Sequence, residues 1–90
     1  MARYLVEQFF PDGLNLSSDG RGARTMRRIQ ACYAEERVVW IVAYVTPDKR
    51  KMFLLCEAPS PEAIRRVSRC NKWPVDRINE VHTLDPYVLL

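Results

Sequence analysis

Histidines, cysteine pairs and long apolar runs are scarce in this 90-residue sequence, and each scarcity excludes a class of function. His82 is the only histidine, so acid–base chemistry or metal binding by histidine has a single candidate residue. The three cysteines, Cys32, Cys56 and Cys70, are odd in number and form no C-x-x-C pair. This pattern predicts neither a disulfide framework nor a zinc knuckle, so we expect reduced thiols.

No apolar run approaches the roughly 18–20 residues that a membrane span requires. The first residues, MARYLVEQFF, pass from one arginine directly into an alternating pattern that is typical of a strand rather than of a signal peptide. We therefore expect a soluble cytoplasmic protein with no membrane partner.

Size and composition favour a single folded domain over residues 1–90. The chain is 48% hydrophobic and 28% charged, which is the globular range. Its formal net charge of +3 is too small to require a polyanionic partner. The sequence also lacks the aromatic segment that RNA-binding sheets use, so we do not expect nucleic acid as a partner. Seven arginines are expected on water-facing helix surfaces: Arg21, Arg24, Arg27, Arg28, Arg65, Arg66 and Arg69.

Hydrophobic periodicity predicts the order β-α-β-β-α-β. Apolar runs predict strands over residues 3–10, 38–46, 52–56 and 77–84. One helix is predicted from a cap at Ser18 or Asp19 to about Glu36, and another from the cap at Ser60 to about Asn71. This order is typical of an α+β, ferredoxin-like βαββαβ fold, with a four-stranded antiparallel sheet and both helices on one face.

The sheet face away from the helices, which we call the open face, is predicted to be apolar. Strand alternation, together with the cost of burying an unpaired carboxylate such as that of Glu7, assigns ten residues to it. They are Leu5, Glu7, Trp40, Val42, Tyr44, Leu54, Cys56, Ile78, Glu80 and His82. Because monomers rarely leave such a surface in water, we expect a homodimer in which a second copy covers the open face and encloses a cavity for a small molecule.

Four stretches resemble the small bacterial nickel-binding-protein-like family: YLVEQFFP (4–11), VVWIVAYVTPDK (38–49), CEAPSPEAIRR (56–66) and WPVDRINEVHTLDP (73–86). The resemblance implies a ferredoxin-like fold, a dimer and a nickel site. That site uses a His two residues after the strand Trp, a Cys in the third strand and a His in the following helix. This chain has Val42, Leu54 and Val67 at those positions, and hydrocarbon side chains offer a metal no lone pair. We therefore expect no metal and no cofactor.

The candidate ligand-binding residues are Glu7, Trp40, Tyr44, Cys56, Glu80 and His82. The leading interpretation is a small dimeric domain that binds a small apolar or aromatic ligand on the open face. Two alternatives stay open: a cofactor-free isomerase, cyclase or oxygenase that uses Glu7 or His82 as acid or base, and residual metal binding through His82 and a carboxylate. The third and fourth strands are expected at opposite edges of the sheet, which would keep Cys56 and His82 apart. Cys32 and Cys70 are expected to fill space only.

Overall fold

Four strands and two helices occur in the predicted order in the computed structural model, which describes residues 1–16 and 19–88. They are β1 (Ala2–Phe9), α1 (Gly20–Glu35), β2 (Val39–Val45), β3 (Lys51–Ala58), α2 (Pro61–Asn71) and β4 (Arg77–Glu80). The strands form one antiparallel sheet in the order β2-β3-β1-β4. The predicted ferredoxin-like fold is confirmed. The expectation that the third strand lies at an edge is wrong, because β3 lies between β2 and β1.

Local sequence explains where both helices begin. The carboxylate of Asp19 accepts two backbone N–H groups from the first turn of α1. The alternative cap, Ser18, lies outside the described residues. The Ser60 hydroxyl accepts the N–H of Ala63 at 3.2 Å, directly before Pro61 begins α2. Among the described residues, no helix is long and apolar enough to cross a membrane.

The helices cover one face of the sheet, and the side chains buried beneath them alternate along the two central strands. These side chains are Tyr4, Val6 and Gln8 of β1 and Met52, Leu54, Cys56 and Ala58 of β3. The helices contribute Ile29, Cys32 and Tyr33 from α1 and Ala63, Ile64 and Val67 from α2. The core therefore forms between the helices and this face of the sheet, as the apolar sides of the helices predicted.

Two residues predicted on the open face lie in this core instead. In the ladder between β1 and β3, Leu54 pairs with Val6 and Cys56 with Tyr4. Residues that pair across two strands point to the same side of the sheet. Since Val6 and Tyr4 are buried beneath the helices, Leu54 and Cys56 are buried with them, both at 0% exposure. The alternation predicted for the third strand is therefore wrong by one position.

A β-bulge at Ile41 divides β2 between the two faces of the sheet. Trp40, directly before the bulge, pairs with Cys56 on the helix side. Its ring meets that of Tyr33 edge to face, with 5.5 Å between the ring centroids. Because the bulge adds one residue, Tyr44 emerges on the open face. The prediction that Trp40 and Tyr44 share a face is wrong, since it assumed unbroken alternation.

The last strand also points its predicted open-face residues to the helix side. Ile78 pairs with Val6 and packs against the core, and Glu80 pairs with Tyr4 at the exposed end of β4. His82 follows the end of the strand, where its Nε2 lies 3.4 Å from Oε2 of Glu80. None of Ile78, Glu80 and His82 therefore lies on the open face.

A disulfide bond between Cys32 and Cys70 joins α1 to α2, with 5.8 Å between the two Cα atoms. The expectation that both residues are reduced filler is wrong. They are 38 residues apart in the sequence, and only the packing of the two helices brings them together. An ion pair between Arg66 and Glu36, at 2.7 Å, lies on the same helix–helix contact. Cys56 is the free cysteine, and it is buried.

We expect the double variant Cys32→Ser/Cys70→Ser to lower the free energy of unfolding by about 2–4 kcal/mol, because the cross-link restricts the unfolded chain over a long loop. Urea denaturation followed by circular dichroism measures this change. A reductant should destabilise the unaltered protein similarly and leave the double variant unchanged. Equal stability of the unaltered protein with and without reductant would contradict a structural role for the bond.

Candidate functional site on the open face

The open face of the sheet carries a continuous apolar row across three of its four strands, β1, β3 and β2. We call this row the apolar floor; it consists of Leu5, Leu55, Val42, Phe53 and Tyr44. The pairs Leu5–Leu55, Leu55–Val42 and Phe53–Tyr44 lie directly opposite each other in the ladders. Four of these side chains are half-buried, and Tyr44 is 67% exposed. Since both helices lie on the other side of the sheet, no described element covers the apolar floor.

Two ion pairs close the ends of the apolar floor. Nε of Arg3 lies 3.3 Å from Oε1 of Glu57 at one end, and Nε of Arg77 lies 4.0 Å from Oε2 of Glu7 at the other. Both pairs join residues opposite each other on neighbouring strands. We call them the charged ends. Exposed pairs of this kind contribute little stability, so their importance is that they place charge of both signs beside an apolar surface.

A cavity of about 200 Å³ lies at the end that holds Glu7 and Arg77. The rings of Phe9 and Phe53 form an aromatic wall, and Lys51 adds a second cation beside Arg77. Asp76 also lines the cavity, where its Oδ2 accepts the backbone N–H of Phe9 at 2.6 Å. An apolar wall with a few converging polar groups is the usual composition of a small-molecule site.

Only two of the six sequence-predicted site residues, Glu7 and Tyr44, lie on the open face. Trp40 and Cys56 lie beneath the helices, on the other side of the sheet. Glu80 and His82 form an exposed pair at the far end of β4. A ligand held on the open face therefore contacts neither the thiol nor the imidazole, which removes His82 as an acid or base for such a ligand.

Burial beneath the helices also makes two of the ionisable core groups poor reagents. Burial raises the pKa of the Cys56 thiol to about 11, so the nucleophilic thiolate is rare at neutral pH. Burial likewise raises the pKa of the Tyr33 phenol well above its usual range. The structure thus favours the interpretation of Cys56 as a small hydrophobic core residue.

The sequence prediction missed Phe9, Phe53, Leu55 and Arg77, although a signal for two of them is present. Phe53 and Leu55 alternate in phase with Glu57. The carboxylate of Glu57 is as costly to bury as that of Glu7, so the same argument assigns the phase of β3 correctly. Arg77 carries no such signal, because only the register between β1 and β4 sets it opposite Glu7.

The three positions that correspond to nickel ligands in the resembled family do not share a surface here. Val42 lies on the open face, whereas Leu54 and Val67 are buried in the core on the other side of the sheet. Within residues 1–16 and 19–88, no group of three or more His, Cys, Asp or Glu residues is arranged to hold a metal ion. The Glu80–His82 pair offers two donors, fewer than a tight site uses.

Comparison with known proteins agrees with the resemblance seen in the sequence. The family described as nickel responsive protein SCO4226-like matches residues 4–81. The crystal structure of SCO4226 from Streptomyces coelicolor A3(2) is similar to this chain, with a TM-score of 0.72 and 25% sequence identity, over 93% of this chain and 100% of that chain. A comparison with curated proteins finds no match.

We expect Cys56 in the folded protein to react with 5,5′-dithiobis(2-nitrobenzoic acid) at pH ~8 at least about 100-fold more slowly than in urea, because a raised pKa leaves little thiolate and the helices block access. The rate should rise with pH towards the raised pKa. In urea without reductant a single thiol should react, since the other two cysteines are paired. Rapid reaction of the folded protein would contradict the placement of Cys56.

Proposed function

The chain belongs to the SCO4226-like nickel responsive protein family, and we propose that it acts as a homodimer in which two open faces pack together and enclose a small apolar or aromatic ligand. The observation that carries this proposal is the apolar floor, which no described element covers. Burying a leucine, valine or phenylalanine side chain contributes roughly 1.5–3 kcal/mol. A second copy offers an identical apolar surface, so a two-fold axis lets each floor cover the other.

Charge complementarity selects one orientation for the two sheets. A two-fold axis parallel to the strands reverses the strand order of the second copy, so that β1 lies over β3 of that copy. Arg3 of each copy then lies over Glu57 of the other, so the charged end at Arg3 gains a second opposite charge in both copies. An axis across the strands would instead set β1 on β1 and lose this match. We therefore favour the axis parallel to the strands.

The ligand in this proposal lies beside the charged end at Glu7. Phe9 and Phe53 present their rings to an apolar body, and Tyr44 extends the same surface along β2. Glu7 accepts a hydrogen bond from a polar group of the ligand, and the guanidinium of Arg77 donates to one. Since groups of both signs line the cavity, a neutral aromatic compound with one hydroxyl fits it better than a strongly charged compound.

Nickel is not part of this proposal. The name of the family refers to a nickel response, but the three corresponding positions in this chain carry hydrocarbon side chains. Two of those side chains are buried in the helix-covered core, at 0% exposure for Leu54 and 2% for Val67. The chain thus has the fold of the family without donor side chains at these three positions.

We expect Leu55→Glu to weaken dimerisation by at least about 100-fold, because it would bury an unpaired carboxylate at the centre of each floor. Sedimentation equilibrium at micromolar concentration measures the dissociation constant. Leu16→Glu, which adds the same charge to an exposed loop leucine, is the matched control and should leave dimerisation unchanged. A monomeric unaltered protein, or a Leu55→Glu variant that dimerises normally, would refute the face-to-face dimer.

We expect the dimer to bind 2-naphthol, and Phe53→Ala to weaken that binding about tenfold, because the variant removes one aromatic wall of the cavity. Glu7→Gln should weaken binding less, since the amide still accepts a hydrogen bond. The fluorescence of the naphthol reports the binding, and Arg65→Gln on the exposed side of α2 is the control. Equal affinity in the Phe53→Ala and unaltered dimers would locate the ligand elsewhere.

A further inference from the structure

A second and larger cavity, of about 550 Å³, runs between α1 and the outer edge of β2, outside the open face. We call it the edge groove. Its walls are Met26, Gln30, Tyr33 and Ala34 from α1, Val38 from the connection before β2, and Val39 and Trp40 from the start of β2. Gln30 and Tyr33 carry the polar side-chain groups of this set, and the amide of Gln30 can both donate and accept hydrogen bonds. The edge groove therefore suits an apolar side chain that carries backbone polar groups beside it.

The strand beside the edge groove lacks two of the usual protections of a sheet edge, although the bulge at Ile41 interrupts its ladder at one point. β2 pairs with β3 alone among the described strands, so its outer backbone groups face outward. Its residues, VWIVAYV, include no charge and no proline, which are two of the devices that commonly prevent pairing at an edge. Val39 and Ile41 are 49% and 40% exposed there. A strand edge of this composition can pair with another chain unless a further segment covers it.

The same chain carries an apolar segment that has no such cover. Residues 84–88 form a turn in which the backbone N–H groups of Tyr87 and Val88 donate to the side chain and the carbonyl of Asp85, at 2.9 and 3.1 Å. Pro86 stiffens this turn. The turn presents three large apolar side chains to solvent: Leu84 at 78% exposure, Tyr87 at 93% and Val88 at 61%. A preformed turn with three exposed apolar side chains is well suited to dock in a groove, because little ordering entropy remains to be lost.

We propose that the edge groove of each chain receives the turn at residues 84–88 of a second copy. The inference rests on the proposed dimer, and the axis parallel to the strands makes it geometrically direct. Within one chain β4 and β2 lie at opposite edges, three strand spacings or about 14 Å apart. In the dimer β4 of the second copy lies over β2, at the roughly 10 Å that separates stacked sheets. In the proposed exchange the turn, which begins four residues after the end of β4, passes that edge to the helix side.

The exchange closes on itself, because two turns enter two edge grooves around one axis. Each turn buries its apolar side chains against Met26 and Trp40, and the amide of Gln30 meets the backbone of the turn. The interface then continues from the apolar floor round the outer edge of β2. This extension covers the uncharged strand edge, which would otherwise be open to pairing with further copies.

Disulfide trapping between two variants that each carry one added cysteine tests the exchange. Ala34→Cys places a thiol in the edge groove, and Val88→Cys places one on the turn; both positions are exposed. When the two variants are mixed and oxidised with glutathione disulfide, we expect a covalent dimer that contains one chain of each. Replacing Ala34→Cys by Ala31→Cys, also exposed on α1 but outside the groove, should reduce the yield of that dimer about tenfold, since disulfides require close Cβ atoms.

The possible results separate this inference from the proposed dimer. A mixed covalent dimer at Ala34→Cys supports the exchange. A chain carrying both cysteines that forms only an internal disulfide would overturn it, because the turn would then occupy its own groove. If sedimentation shows a dimer but Ala34→Cys gives no more cross-link than Ala31→Cys, the exchange is overturned and the face-to-face dimer stands. A monomer by sedimentation would overturn both.

A synthetic peptide of residues 83–90 tests the groove independently of oligomeric state. Added to the Leu84→Ser/Tyr87→Ser variant, whose own turn has lost two apolar groups, the peptide should shift the emission of Trp40. The Trp40→Phe variant keeps Trp73, so comparing its emission with that of the parent shows how much of the change comes from Trp40. Ala34→Glu in the same variant should weaken binding of the peptide about tenfold, whereas Ala31→Glu should leave it unchanged. A peptide that leaves Trp40 unaffected at millimolar concentration would overturn the proposal, and a response to 2-naphthol alone would assign the groove to a small molecule instead.

Discussion

The pairing of β1 with β3 determines which side of the sheet every important residue occupies. Val6 and Leu54 lie opposite each other under the helices, and Leu5 and Leu55 lie opposite each other on the open face. Because successive residues of a strand alternate between faces, a shift of this register by one residue would exchange core and surface along a whole strand. The buried ladder fixes the register, since Leu54 is completely enclosed and its displacement would expose apolar surface. The apolar floor is therefore a consequence of how the core packs.

The bulge at Ile41 allows β2 to serve both faces. Before the bulge, Trp40 completes the core against Tyr33; after it, Tyr44 extends the open face. An unbroken strand could provide one of these contacts but not both, since the two residues are an even number of positions apart. A bulge at an edge strand also re-aims side chains at little cost to the sheet, because an edge strand has ladder bonds on one side only.

The fold was predictable from the sequence because its signals are local. The cap at Ser60, the apolar stripe of α2 and the turn chemistry between strands each depend on a few neighbouring residues. The site was only partly predictable, because it depends on register and tertiary contact. The carboxylate of Glu7 indicates which face of the sheet it occupies. The bulge that places Trp40 on the other face has no sequence signal, because it lies in an uninterrupted apolar run. The Cys32–Cys70 bond was not predictable, since residues 38 positions apart carry no spacing signal.

The arginines of the helical layer favour the sheet over the helices as the face for the proposed self-association. Arg24, Arg28, Arg65 and Arg69 are all exposed on that layer, and two copies joined through it would bring cations together. On the open face the corresponding charges already occur as pairs of opposite sign, and a two-fold axis parallel to the strands matches Arg3 of one copy with Glu57 of the other. Repulsion on one side and complementarity on the other act in the same direction. The position of the charges thus supports the association that the apolar floor favours.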